Sequence, residues 1–120
     1  MSPNSTCPIT THVIDVSVGR PATGVPVLLE VEEIGTGWKQ LARSTTDRDG
    51  RVNDLLDSDK IAEGTYRLTF ETRGYFADQS VRSFYPEVMI VFSVYEGIDR
   101  YHVPLLLSPF GYSTYRGCGS

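Results

Sequence analysis

The chain is poor in the residue types that most often announce a chemical site. Its 120 residues include two cysteines, two histidines, two methionines and one tryptophan. Cys7 and Cys118 stand near opposite ends, outside any Cys-x-x-Cys or Cys/His cluster, so a thiolate metal site is not expected. They read as thiols rather than as a disulfide closing so long a loop. Basic residues are few and scattered: 11 Lys and Arg stand against 15 Asp and Glu, for a net charge of −4. That balance argues against a nucleic-acid or anionic-membrane surface. No apolar run approaches the roughly 20 residues of a membrane span. Residues 1–6 lack the cationic and apolar regions of a secretion signal, so Asn4-Ser5-Thr6 carries no weight as a glycosylation sequon. The expected location is cytoplasmic; the ending is not a Ser-Lys-Leu address, and import into peroxisomes by another route stays open.

Further absences narrow the chemistry. There is no glycine-rich phosphate loop and no nucleophile elbow around Ser108, Ser113 or Ser120. Asp47-Arg48-Asp49-Gly50 lacks the alternating acidic positions and distal glutamate of a calcium loop. Neither a metal nor an organic cofactor is expected.

What remains is strand after strand. Residues 10–18 are rich in β-branched side chains, and Gly19-Arg20-Pro21 reads as a turn. Residues 25–34 and 38–45 follow, then an Asp49-Gly50 turn of the kind hairpins need. Residues 51–53 form a short strand and 54–63 a loop; 64–72 alternate, with Tyr66, Leu68 and Phe70 facing together. Residues 75–80 are the best helix candidate. Residues 87–95 are almost wholly apolar, as in a strand buried on both faces, and 100–108 and 111–117 close the series. Seven or eight strands with turn signals at this spacing predict a mainly β, antiparallel sandwich or barrel with one short helix. The whole of 1–120 reads as one domain, with 1–6 a flexible N-terminus and 111–120 the last strand and a C-terminal motif.

Because strand side chains alternate, three sets of residues each share a face: Thr10, His12 and Ile14; His102, Pro104 and Leu106; Ser113, Tyr115 and Gly117. If these faces converge, two imidazoles, a phenol and a hydroxyl meet. Imidazole is the side chain best matched to proton transfer near neutral pH. On the residues alone each histidine reads more readily as a satisfied or surface strand residue, because nothing local couples the pair. Arg51 could grip a planar anion or amide in two-pronged fashion, or be an ordinary exposed turn residue. Arg116 is open in the same way, as a clamp or a solvated tail.

Cys7-Pro8 with Thr11-His12-Val13-Ile14-Asp15 resembles the opening signature of the transthyretin-like proteins. The run from Tyr101 to Pro109, with Tyr112-Ser113-Thr114-Tyr115-Arg116-Gly117, is similar to their closing signature. The likeness extends through Asp49-Gly50-Arg51, Gly64-Thr65-Tyr66 and Phe84-Tyr85-Pro86, and covers residues 7–117. Two branches share that fold, the thyroid-hormone carrier transthyretin and 5-hydroxyisourate hydrolase. Transthyretin carries Lys at position 12, Thr at 102 and Thr-Ala-Val at 115–117; this chain has the hydrolase residue at each.

The resemblance implies an eight-stranded, two-sheet sandwich forming a homotetramer, a dimer of dimers around a channel lined by the faces of His12, His102 and Tyr115. It implies that 5-hydroxyisourate is opened by attack of an activated water on the C6 carbonyl, breaking the N1–C6 bond. One histidine would take the water proton; the other would orient substrate or donate to the leaving nitrogen, with either order open. Arg51 would hold substrate oxygens or the developing oxyanion, and Tyr115 would contact substrate. Ser113, Arg116 and Ser120 are further candidates. The hydrolase pattern ends Tyr-Arg-Gly-Ser, whereas here Cys118-Gly119 separates Gly117 from Ser120 and displaces that serine by two residues. The alternative the resemblance leaves is a transthyretin-type carrier of small aromatic ligands.

Overall fold

A computed structural model describes residues 7–117. The strands in chain order are β1 (Ile9–Asp15), β2 (Arg20–Pro21), β3 (Pro26–Glu33), β4 (Gly37–Thr45), β5 (Arg51–Val52), β6 (Gly64–Phe70), β7 (Val88–Val94), β8 (Tyr101–Ser108) and β9 (Gly111–Thr114). One helix, α1 (Thr72–Ala77), interrupts them between β6 and β7. Two sheets face each other: one ordered β2-β1-β8-β9, with β5 also on β1, and one ordered β4-β3-β6-β7. This is the expected mainly β sandwich. The extra strand beyond the expected series is β2, the two-residue segment whose sequence reads as a turn.

Alternation builds the core. Val27 and Leu29 of β3, Leu68 and Phe70 of β6, Ile9 and Val13 of β1, and Leu105 of β8 are fully buried between the sheets. Burial of each such side chain contributes roughly 1.5–3 kcal/mol against the extended chain. On the outer face of the second sheet Arg67 holds Glu30, with Nη2 2.6 Å from Oε1. Its guanidinium carbon also lies 4.3 Å from the centre of the Trp38 ring.

Three local expectations need correction. First, β1 and β8 run parallel, the one parallel pair among the described strands. Second, β7 is not buried on both faces. Val88, Ile90 and Val94 point into the core, while Met89 and Val91 are exposed. An apolar run cannot by itself show that a second layer covers both faces, and β7 lies at a sheet edge. Third, the helix starts earlier than expected, at Thr72, whose buried hydroxyl donates to the Tyr85 carbonyl (3.4 Å) directly after β6. It ends in a left-handed turn: Ser80 has φ +59°, its N–H donates to Ala77 O (2.9 Å), and the Val81 N–H donates to Phe76 O (3.0 Å).

The helix is tied to the first sheet by one carboxylate. Asp15, at the end of β1 and only 1% exposed, accepts from the Tyr75 hydroxyl (2.7 Å), the Ser17 hydroxyl (2.5 Å) and the Ser17 N–H (3.0 Å). Burial and the nearby Asp15 carboxylate hold the Tyr75 phenol above its ordinary range. Tyr75→Phe removes one charge-assisted donor from a buried acceptor. It should cost about 1–3 kcal/mol, read as a lower urea midpoint at unchanged slope.

Candidate active site

The outer face of the first sheet carries the candidate residues, and the strand registers place them. In the parallel pair, Thr10 lies beside His102 and His12 beside Pro104. Across the other edge of β1, His12 lies beside Arg51 of β5. Arg51, His12 and His102 therefore come from three neighbouring strands onto one face. Both imidazoles are half-buried. The expected convergence of the first two faces is what the fold delivers.

Arg51 is placed by a turn built for the purpose. Asp47 Oδ1 accepts from the N–H groups of Asp49 and Arg51, both at 2.9 Å, and the Asp47 N–H donates to Arg51 O at 3.0 Å. Gly50 has φ +76°, and a Cβ there would overlap the Val13 carbonyl oxygen. Its own carbonyl accepts from the Val13 N–H at 2.7 Å. The turn is thus pressed against β1 beside His12. It is not a hairpin, as the sequence suggests, but a crossing from β4 in one sheet to β5 in the other.

His102 is held on two sides. Thr10 Oγ1 lies 2.8 Å from its Nδ1. The chain end returns across it: the Gly117 N–H donates to His102 O (2.8 Å), and the two residues form an isolated antiparallel bridge. A Cβ on Gly117 would stand 2.7 Å from His102 Cδ2 and 3.3 Å from Pro104 Cγ. Only a glycine lets the backbone lie this close to the ring.

Ser113 pairs with Leu106 on the same outer face and is exposed. Tyr115 departs from its expected face. Regular pairing of β9 stops at Thr114, opposite Leu105, so Tyr115 falls level with Pro104. Proline offers no N–H to the ladder, and the Thr114 hydroxyl takes the Pro104 carbonyl (2.7 Å). Tyr115 instead lines an apolar cleft of about 400 Å³ at the open edge between the sheets, with Ile90, Phe92, Tyr101 and Val103. Arg116 lines it too, its guanidinium carbon 5.3 Å from the centre of the Tyr101 ring and one nitrogen donating to Arg100 O (3.3 Å). Within one chain Arg116 is therefore engaged with β8 and its approach. Cys118 and Ser120 lie outside the described residues.

The electrostatics favour neutral imidazoles. Burial lowers the His12 pKa below 6.5 and the Arg51 charge adds to it, against the Asp49 backbone carbonyl and the Asp47 and Asp49 carboxylates. Burial, then Arg51, then His12 lower that of His102. Each ring near neutral pH thus offers one acceptor and one donor nitrogen, with the permanent Arg51 cation close to both. Among the described residues no group of three or more His, Cys, Asp and Glu gathers to hold a metal ion. Thr10 and Asp47 are the supporting residues that sequence reasoning passed over. Thr10 was legible as a face-mate of His12, but its bond to His102 depends on the parallel register.

A β-sandwich with a guanidinium and two neutral imidazoles on one outer face holds the kinds of group that proton transfer and anion stabilisation use. The profile of the HIUase/Transthyretin family matches residues 9–117, and the chain belongs to that family. It is 44% identical over 111 residues to 5-hydroxyisourate hydrolase of Mus musculus, covering 92% of this chain and 94% of that one. A solved structure of Klebsiella pneumoniae 5-hydroxyisourate hydrolase superposes with a TM-score of 0.81 at 36% identity, covering 92% of this chain and 97% of the other. Sea bream transthyretin, solved with thyroxine, superposes at 0.88 with 32% identity, covering 95% and 98%.

Two measurements test the site as described. Imidazole titration by NMR should place both histidine midpoints below 6.5, the ordinary value. Folded-state pKa values below the unfolded value mean that the unfolded chain binds protons first. Stability should accordingly be fully present above about pH 6.5 and decline as pH falls through the lowered midpoints. In the second, Gly117→Ala should shift the His102 ring resonances strongly and those of His12 little; unchanged His102 shifts would contradict the close packing.

Proposed function

We propose that this protein hydrolyses 5-hydroxyisourate, and that His12, Arg51 and His102 carry the reaction. The observation that carries this reading is the meeting of those three side chains on one sheet face, two of them at positions that distinguish the branches of the family. The curated relative from mouse and the Klebsiella structure bear the hydrolase name. The likeness to a thyroxine-bound transthyretin supports a carrier reading on fold alone, and that reading leaves the imidazole pair without a use.

In the proposed mechanism a histidine takes a proton from water, and the water oxygen attacks the C6 carbonyl. The C6–N1 bond then breaks, and the electron pair leaves on N1, which is protonated. Arg51 stabilises the oxygen as it gains charge; removing a comparable donor in other enzymes costs about 10²–10³-fold in kcat. The substrate is small and polar, which suits a slot with a few fixed donors. Ser113 stands on the same face and could touch it. Tyr115, Arg116 and Ser120 are kept as substrate contacts contributed in an assembly.

Assembly is part of the proposal. The outer face of the first sheet is half-exposed in one chain, with Ile14 and Leu106 beside the imidazoles and Val16 and Val18 exposed nearby. β7 and β9 leave unpaired edges at the corresponding ends of the two sheets. A homotetramer in which these edges pair and two such faces meet would enclose the site and cover apolar surface. Sedimentation should give a mass near four times 13.3 kDa.

5-Hydroxyisourate generated from urate by urate oxidase should decay much faster with this protein present than without. His12→Ala and His102→Ala should each lower kcat by about 10²–10⁴-fold while leaving the assembly intact. Decay no faster than the spontaneous reaction, together with saturable thyroxine binding, would favour the carrier.

A further inference from the structure

The hydrolytic reading leaves open which imidazole acts as base, and the hydrogen bonds around His102 decide it. The nearest polar partner of its Nδ1 is Thr10 Oγ1, 2.8 Å away on the neighbouring strand. A hydroxyl can donate or accept, so this contact alone fits either tautomer of a neutral ring. The hydroxyl proton breaks the tie. Thr10 is only 7% exposed, and among the described residues its hydroxyl has no partner besides that ring nitrogen. Were Nδ1 protonated, the Thr10 oxygen would accept, and its own proton would be left buried without an acceptor. Folded proteins rarely tolerate that. With Nδ1 as acceptor nothing is left unpaired, and the ring proton sits on Nε2.

Turning the ring over would put Cδ2 toward Thr10 and lose the bond. On the other side of the site the nearby Asp49 backbone carbonyl favours a proton on the His12 ring, and with His102 held as a donor His12 is the imidazole left to act as base.

We infer that Thr10 is a positioning residue that holds His102 as the Nε2–H tautomer, so that His102 is the hydrogen-bond donor of the site and His12 the base. The inference rests on the hydrolytic reading above and completes its proton accounting. His12 takes a proton from the attacking water and returns it to N1 as the C6–N1 bond breaks. His102 keeps its proton throughout and, with Arg51, holds the carbonyl oxygen while it is negative. A neutral imidazole serves as such a donor where a nearby cation discourages a second charge. One water is consumed, one amide is opened to an acid and an N–H, and both rings end as they began.

The experiment reads the tautomer in the free protein. The chain has only two histidines, so uniform 15N labelling with His12→Gln as the assignment variant isolates the His102 ring. At pH 7.5 long-range 1H–15N correlation should show a protonated Nε2 and an unprotonated Nδ1. Thr10→Val should average the two nitrogen shifts, and Thr10→Ser should restore them. In the hydrolysis assay Thr10→Val should lower kcat by about 10- to 100-fold with little change in KM, and Thr10→Ser should recover most of it. A protonated Nδ1 in the wild type overturns the inference, as does a Thr10→Val protein with unchanged tautomer and kcat. If Thr10→Val does not fold, the wild-type and Thr10→Ser spectra still decide. A wild type that shows the Nε2–H ring but does not hydrolyse the substrate overturns the hydrolytic reading and the base assignment, while Thr10's hold on the ring stands.

Discussion

β1 and β8 run side by side and parallel over seven residues, from Ile9 beside Tyr101 to Asp15 beside Leu107. Every feature of the site depends on that register. Strand side chains alternate, so a shift of one residue would turn either histidine into the core. The register is fixed by what lies on the inner face, where Ile9, Val13 and Leu105 are fully buried and the Thr11 hydroxyl donates to Val103 O at 2.5 Å. A slip of either strand would expose its core residues and bury its imidazole without a partner. Core packing and site geometry are consequences of the same pairing.

The opposite edge of β1 is divided. β5 pairs with Thr11 and His12, β2 pairs with Ile14 and Asp15, and Val13 between them binds Gly50 O and the Ala22 N–H. A single long neighbour would have given a smoother sheet. Two short ones let the chain enter from the second sheet, deliver Arg51 beside His12 and leave again. The cost is a turn that must touch β1 backbone to backbone, which only a glycine at position 50 allows. Gly117 meets the same demand at the other imidazole. The two glycines serve contact rather than flexibility, although Gly50 also needs its positive φ.

Much of this was legible in the sequence. Alternation placed the strands and the core, and the same alternation put His12 and His102 on faces able to meet. The rest depended on facts that pattern does not carry. Parallel and antiparallel neighbours have the same period, so the direction of β8 against β1 was invisible. The exposed side of β7 is apolar, and pattern cannot show whether anything covers it. Tyr115 left its expected face because Pro104 sits opposite, an effect that needs the register to be known first. Thr10 stood in view beside His12, yet its partner is 92 residues away.

The division between the histidines follows from what each ring nitrogen already touches. Two chemically identical side chains beside one guanidinium would compete for the same proton. Here His102 is biased before substrate arrives by a buried hydroxyl, and His12 is left with the other role. The buried hydroxyl must donate, so it makes His102 Nδ1 the acceptor and leaves Nε2 as the donor. Arg51 reinforces the arrangement by disfavouring charge on either ring at rest. When His12 takes a proton its new charge further disfavours protonation of His102, so the donor stays neutral through the cycle. The asymmetry that hydrolysis needs is built from second partners and strand register, not from any difference between the catalytic side chains themselves.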